Sequence, residues 1–267
     1  MAGDARVFEI TSRQNPRFKA LSKLIASARD LRAEGLCVLE GDHLISQFVE
    51  TGSPLQTLIV SQEALADVKH VKTDEIVVIP AAQMGAFSEL ISPKMMVGLA
   101  KIPLCPAIPP AQLAPFSVLA LDRIQDPSNV GALLRTAAAL GVREAWLSPG
   151  CAYAWSQKTL RASQGAQCKL VVREELNLEE ALAKFSGQVC VTTLTQSTAL
   201  QATTFGNARM AMVVGNEGAG VSDSLLALAT TRIHIPMHSG VESLNVGAAA
   251  AIVLYEWQRQ NGQKSGR

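Results

Sequence analysis

Three stretches combine side chains able to do chemistry with glycines or turns able to present them. The first is Gly215–Gly220, GNEGAG, in the order G-x-x-G-x-G. It is not the G-x-G-x-x-G of a dinucleotide site, and it lacks the Lys-Ser/Thr of a phosphate-binding loop. Glu217 would place a carboxylate where either motif holds phosphate. Its glycines therefore suit a tight turn or a close backbone approach, and a cofactor without phosphates would fit. The second stretch runs from Asn129 to Thr136. Asn129 reads as a helix N-cap, and Arg135 lies between Leu134 and Ala137–Ala139 in an otherwise apolar helix. Such an arginine snorkels to solvent, pairs with a carboxylate, or clamps a phosphate or a developing anion. The third is Ile235–Tyr255: a strand ending at Pro236, a loop rich in Gly and Ser, then a helix opening on Asn245 and a run of small residues. That run fits either a tightly packed core helix or a close approach to another backbone or a flat ligand.

The elements that must position these loops follow from hydrophobic period. After residue 116 the pattern is a regular alternation. Strands are expected at Phe116–Leu121, Glu144–Leu147, Cys168–Val172, Val189–Leu194, Met210–Val214 and Arg232–Ile235. Helices are expected at Val130–Leu140, Leu178–Phe185, Ser222–Ala229 and after Asn245, with a polar segment over 149–167. Continuous apolar strands alternating with helices imply a mostly parallel sheet. Ligands bind beyond the strand C-termini of such sheets, which is where loops 122–129, 215–220 and 236–245 fall. Before residue 101 the elements are shorter. Asn15-Pro16 signals a helix start, with Phe18, Leu21, Ile25 and Ala28 on one face. Strands are expected at Cys37–Leu39, Leu58–Val60, Glu75–Ile79 and Val97–Ala100, and helices near 42–51, 62–69 and 81–90. This is a small α/β domain over residues 1–100. Five prolines in 101–115 mark a semi-extended linker. The larger domain is expected over 116–260, with a flexible tail at 261–267.

Composition narrows the class. With 48% hydrophobic residues a large core can be buried, and the longest apolar run is too short to span a bilayer. The start of the chain is polar and charged, without a secretory apolar region. Five scattered cysteines and four histidines show neither disulfide nor metal-ligand spacing, so no metal is expected and a reducing cytoplasm fits. Net charge is only +1, but it is segregated: residues 11–32 carry six Lys/Arg and one acid, whereas 33–100 carry three Lys and nine acids. A basic entry segment reads either as a docking surface for a polyanion or as a solvated helix face. Arg13, Arg17, Lys19 and Lys23 are the candidate contacts to such a polyanion.

Three blocks in order, L-D-x-x-x-D-P-x-N-x-G-x-x-x-R-T-A at 121–137, V-V-G-N-E-G-x-G at 213–220 and I-P-M-x-x-x-x-x-S-L-N-V at 235–246, closely resemble the SPOUT superfamily. Within it they resemble the TrmH/SpoU group of RNA ribose 2′-O-methyltransferases. Residues 9–100, with SRQNPRFKAL and VLEGDHLI, look like that group's L30e-type substrate-binding domain, and KTLRASQGA at 158–166 looks like a further family stretch. The resemblance implies a deep trefoil knot, S-adenosylmethionine (AdoMet) as cofactor and a homodimer through the C-terminal domain. It implies Asn129, Arg135, Glu217, Ser243 and Asn245 as catalytic positions. Gly215, Asn216, Ile235, Met237, Ser243 and Leu244 are the implied cofactor positions. Glu217 is expected to orient Arg135 or a cofactor-loop amide, and Ser243, Asn245 or water to pass the proton. The implied substrate is structured RNA, with 23S-type rRNA favoured over tRNA. A non-catalytic RNA-binding protein on the same fold is the alternative, and it would be expected to lose Arg135 or Ser243-Leu244-Asn245.

Overall fold

The computed structural model describes residues 5–68, 71–88, 96–105, 117–206 and 209–261. In chain order the N-terminal elements are β1 (Arg6–Glu9), α1 (Pro16–Ala26), α2 (Ala28–Glu34), β2 (Leu36–Glu40), α3 (Asp42–Val49), β3 (Thr57–Ser61), β4 (Glu75–Ile79) and β5 (Met96–Lys101). Then follow β6 (Val118–Asp122), α4 (Pro127–Ala139), β7 (Glu144–Leu147), α5 (Gln157–Ser163), β8 (Val171–Arg173), α6 (Leu178–Ala183), β9 (Gln188–Thr192) and β10 (Thr198–Ala199). The chain closes with β11 (Met210–Gly215), α7 (Asp223–Ala227), β12 (Thr231–His234) and α8 (Val246–Asn261). The linker residues 106–115, Phe116 and the tail beyond Asn261 lie outside the described residues.

Two compact units result. The first comprises Met1–Leu104 together with Trp155–Cys168, the second Cys105–Ala154 with Lys169–Arg267. Within the domain expected over 116–260, the segment Trp155–Cys168 packs with the N-terminal residues. The reason is local. Ser156 caps α5, its side chain accepting from Thr159 N–H at 3.2 Å, and Gln164 closes it in the left-handed conformation. Thr159, Leu160 and Ser163 are then buried, and a Cβ on Gly165 would come within 3.2 Å of Leu44. Seven residues without a clear apolar stripe gave the sequence no helical signal, hence the polar segment expected there.

In the first unit the sheet order is β1-β4-β3-β5-β2, with β1, β4 and β3 parallel and β5 antiparallel to both β3 and β2. Asn15 caps α1 as expected, accepting from Arg17 N–H at 2.8 Å, and Phe18 and Ile25 are buried. Ala28 instead opens a second helix, because Ser27 leaves helical geometry and caps α2 through Asp30 N–H. The stretches expected as helices near 62–69 and 81–90 are 3-10 turns, Gln62–Val68 and Ala81–Ala86. The edge strand β1 was not anticipated.

Arg161 on α5 donates to Glu40 at the end of β2 (2.9 Å); the side chains are 31% and 1% exposed. The second Glu40 oxygen is buried without a partner. Removing the cation from a buried carboxylate costs about 3 kcal/mol. Arg161→Ala should therefore lower the denaturant midpoint of the first unit more than Glu40→Gln does, since an arginine left alone at this depth can still reach water. Equal midpoints for the two variants would count against the pair as a stabilising contact.

The second unit holds a seven-stranded, wholly parallel sheet in the order β10-β12-β9-β11-β6-β7-β8. Its core includes Val118, Trp146, Val191, Val213 and Leu225. Register sets the site: Gly215 at the end of β11 lies beside Asp122 at the end of β6, and Thr192 at the end of β9 beside Ile233 of β12. The loops following these strands therefore emerge side by side. Cys168 lies in a 3-10 turn rather than at a strand start, and β9 stops at Thr192 rather than Leu194.

Candidate active site

Asp126, not Asn129, caps α4. Its Oδ1 accepts from Ser128 N–H at 2.7 Å, and Pro127 takes the first helical position. Moving the cap three residues back frees the Asn129 carboxamide for the site. Asn129 Nδ2 donates to Glu217 Oε1 at 2.8 Å, and Asn129 Oδ1 accepts from Asn245 Nδ2 at 2.9 Å. Asn245 caps α8 as expected, its Oδ1 accepting from the N–H groups of Gly247 and Ala248. One chain of hydrogen bonds thus joins the three loops that the sequence singled out. It also sets the orientation of the Asn129 amide, since its oxygen accepts while its nitrogen donates.

Glu217 therefore engages Asn129 and not Arg135. Arg135 is exposed on α4, and among the described residues no ion pair joins it to a carboxylate. The structural ion pair considered for it is not found among the described residues, and its side chain is exposed to an incoming group. Ser243 is exposed in the loop that follows β12.

The glycine loop is shaped by close approach, as its composition indicated. A Cβ on Gly215 would lie 2.2 Å from Gly220 C and from Val221 N. Gly220 has φ +70°. Asn216 holds the turn: its Oδ1 accepts from Gly218 and Ala219 N–H, and its Nδ2 donates to Arg123 O at 2.9 Å. Small residues at the start of α8 serve both readings offered for them. A Cβ on Gly247 would be 3.4 Å from Ala132 of α4, whereas Val246 and Ala249 face a cavity.

That cavity, of about 710 Å³, opens at the ends of β9, β11 and β12. Gly215, Asn216, Ile235, Met237, Ser243 and Leu244 all line it, as do Glu217 and Asn245; Asn129 and Arg135 do not. Thr192–Thr195 line it as well and were missed. Their signal was present as a fourth strand end, hidden because the strand was read two residues too long. The lining carries Glu217, Asp223 and Glu242 but no lysine or arginine. Such a wall repels phosphate and favours a cationic or neutral ligand. Among the described residues no three His, Cys, Asp or Glu side chains converge as a metal site, and no helix is long and apolar enough to cross a membrane.

Of the basic candidates in the first unit, Lys19 and Lys23 are exposed on α1 and Arg13 is exposed beside it. Arg17 is committed to the fold. It pairs with Glu75, whose other oxygen accepts from Thr57 Oγ1, and it stacks 4.0 Å over the Phe8 ring. A cation held this way is a poor RNA contact, so Arg17 is withdrawn from that set.

Because Asn129 is tied to both neighbours, Asn129→Ala and Asn245→Ala should be non-additive. Each alone should cut turnover about 10²-fold or more, and the double variant should lose little beyond the worse single one. Multiplicative losses would show the two amides acting separately.

A parallel sheet with its glycine-loop cavity at the strand ends, preceded by a small mixed α/β domain, defines a methyltransferase of the SPOUT class. Residues 117–255 match the SpoU rRNA Methylase family, and residues 15–98 match the MRM3-like substrate binding domain. The chain belongs to the SpoU rRNA methylase family. It is 31% identical to an uncharacterized tRNA/rRNA methyltransferase of Synechocystis sp., over 95% of this chain and 94% of that one. It is 29% identical to the 23S rRNA (guanosine(2553)-2′-O)-methyltransferase of Bacillus subtilis, over 92% and 98%. The AdoMet-bound rRNA methyltransferase from Sinorhizobium meliloti shares the fold, with a TM-score of 0.82 at 24% identity over 95% of this chain and 98% of that one.

Proposed function

We propose that this protein transfers a methyl group from AdoMet to a ribose 2′-hydroxyl of large-subunit rRNA. The observation that carries the reading is the Glu217–Asn129–Asn245 chain at the mouth of a cavity without basic residues. AdoMet carries a sulfonium and no phosphate, so the carboxylate-bearing lining suits it, and Gly215 lets a flat group approach the loop backbone. When bound, it supplies a methyl carbon open to in-line attack.

The chain's own residues align and deprotonate the attacking hydroxyl. Alignment is the larger demand. Asn129 keeps one N–H beyond its bond to Glu217, placed to hold the ribose oxygen. Arg135 is permanently protonated and so is no base; it stabilises the developing alkoxide or grips the neighbouring phosphate. Asn245 is removed as a proton carrier, because its oxygen is taken by two helix amides and its nitrogen is an amide. Ser243, exposed in the cavity wall, or water passes the proton on. In the balanced reaction the sulfur–methyl bond breaks, the oxygen–methyl bond forms, and the hydroxyl proton leaves to solvent.

The rRNA substrate is favoured by the substrate-binding domain and by the printed activity of the Bacillus relative. Lys19 and Lys23 are the proposed docking cations. Charge reversal of both should weaken RNA binding and flatten its salt dependence by about 0.7–0.9 per phosphate lost; an unchanged slope would remove them. A homodimer is part of the proposal. Exposed Ile252 and Tyr255 border a groove with Ile235 and Pro236, so the cavity-lining segment is shared with an apolar face suited to a second copy. Sedimentation at micromolar concentration tests it, and a monomer would refute it. The deep trefoil knot implied by the resemblance is part of the proposal; after β12 the chain returns to pack α8 on α4. The cytoplasm is the proposed location, on the scattered cysteines without disulfide spacing.

Tritiated methyl transfer from AdoMet to separated rRNA and tRNA pools, from cells lacking this gene, tests the function. Label in ribose of large-subunit rRNA is expected. Label in tRNA alone would overturn the substrate, and AdoMet binding without label in free or ribosome-assembled RNA would favour a non-catalytic RNA-binding protein.

A further inference from the structure

Arg123, directly after β6, has φ +55°, a conformation in which glycine would be unstrained. Its backbone is held on both sides. The N–H donates to Ser148 Oγ and the carbonyl accepts from Asn216 Nδ2, each at 2.9 Å. Its side chain is held too, with Nε donating to Asp122 Oδ1 at 3.0 Å and Nη2 to Oδ2 at 3.3 Å. Asp122 is buried, and Ser222 N–H supplies it with another donor at 2.8 Å. Asp122 also pushes the guanidinium pKa upward, although an arginine is a permanent cation in any case.

A guanidinium has five N–H donors. Two are used, and the remaining edge belongs to a side chain 45% exposed. What arginine adds over glycine here is a rigid cation, fixed next to the loop that carries Glu217. The neighbouring cavity wall bears three carboxylates, so an RNA backbone brought to this end of the sheet meets repulsion unless a cation intervenes. Strain retained at such a place points to use.

We propose that Arg123 is a positioning residue for RNA, its outer guanidinium edge taking a backbone phosphate near the target ribose. The inference rests on the function proposed above. A purely structural Arg123 would serve only to neutralise Asp122, and the two roles differ in what they move.

Arg123→Gly relieves the backbone and keeps the bonds to Ser148 and Asn216; Arg123→Lys keeps charge without the fork. Full-length variants would be compared with the wild-type chain for RNA KM and kcat, AdoMet affinity, melting temperature and the salt dependence of RNA binding. For Arg123→Gly the expected result is an RNA KM raised about 10-fold, a larger effect than on kcat, and a salt slope shallower by about 0.7–0.9, with AdoMet affinity retained. Arg123→Lys should recover the slope but only part of the KM. An RNA KM and slope equal to wild type, whatever the melting temperature, would overturn the proposal. If the wild-type chain methylates no RNA, the wider reading fails, while the binding slope still decides Arg123.

Discussion

Replacing Arg135 by alanine is expected to lower turnover about 10²- to 10³-fold, the scale of losing one preorganised donor to a developing anion. Cofactor affinity and stability should hardly change. Arg135 is exposed, lines no part of the cavity and, among the described residues, pairs with no carboxylate, so its removal leaves no described buried carboxylate without its cation. Arg135→Lys separates charge from shape. A lysine keeps the cation but not the planar fork, and turnover should recover only in part. Near-normal turnover of the lysine variant would dismiss a specific guanidinium role. Loss of AdoMet binding in either variant would move Arg135 into the cofactor site.

Gly215→Ala should remove most cofactor binding. The added Cβ would sit 2.2 Å from Gly220 C and Val221 N and 2.4 Å from Gly220 O, all backbone atoms without a rotamer to yield. Opening the turn would also disturb the Asn216 bonds to Gly218, Ala219 and Arg123. Overpacking of this kind costs about 1–3 kcal/mol or more, about 5- to 150-fold if expressed in affinity. Gly218→Ala is the matched control, because a Cβ there meets only Asn216 Oδ1 at 3.6 Å. Calorimetric titration with AdoMet should show the two variants far apart. Equal affinities would mean that the turn adapts and that its tightness does not shape the site.

The amino-acid sequence alone determined which loops matter and much of their character. Alternating apolar runs give a parallel sheet because each strand must be buried on both faces, and every ligand-facing loop then lies at one end. GNEGAG announced a close turn without phosphate chemistry, and the clash at Gly215 gives that its atomic basis. Asn245 before a small-residue run announced a capped, closely packed helix.

Tertiary structure decided the partnerships. Asn129 looked like a cap because Asn is a good one, but Asp126-Pro127 begins the helix sooner, and the freed amide bridges residues 88 and 116 positions away. Arg17 sits in a basic run, yet a buried carboxylate 58 residues on claims it. The segment around Arg161 is too short to declare a helix by periodicity and acquires one through Glu40 and Leu44. For Arg17 and the Arg161 segment a local preference of a few tenths to about 1 kcal/mol yielded to burial of a charge or a side chain, whereas Asn129 lost the cap to the neighbouring Asp126-Pro127. Those larger energies depend on what the fold brings near, which spacing along the chain does not encode.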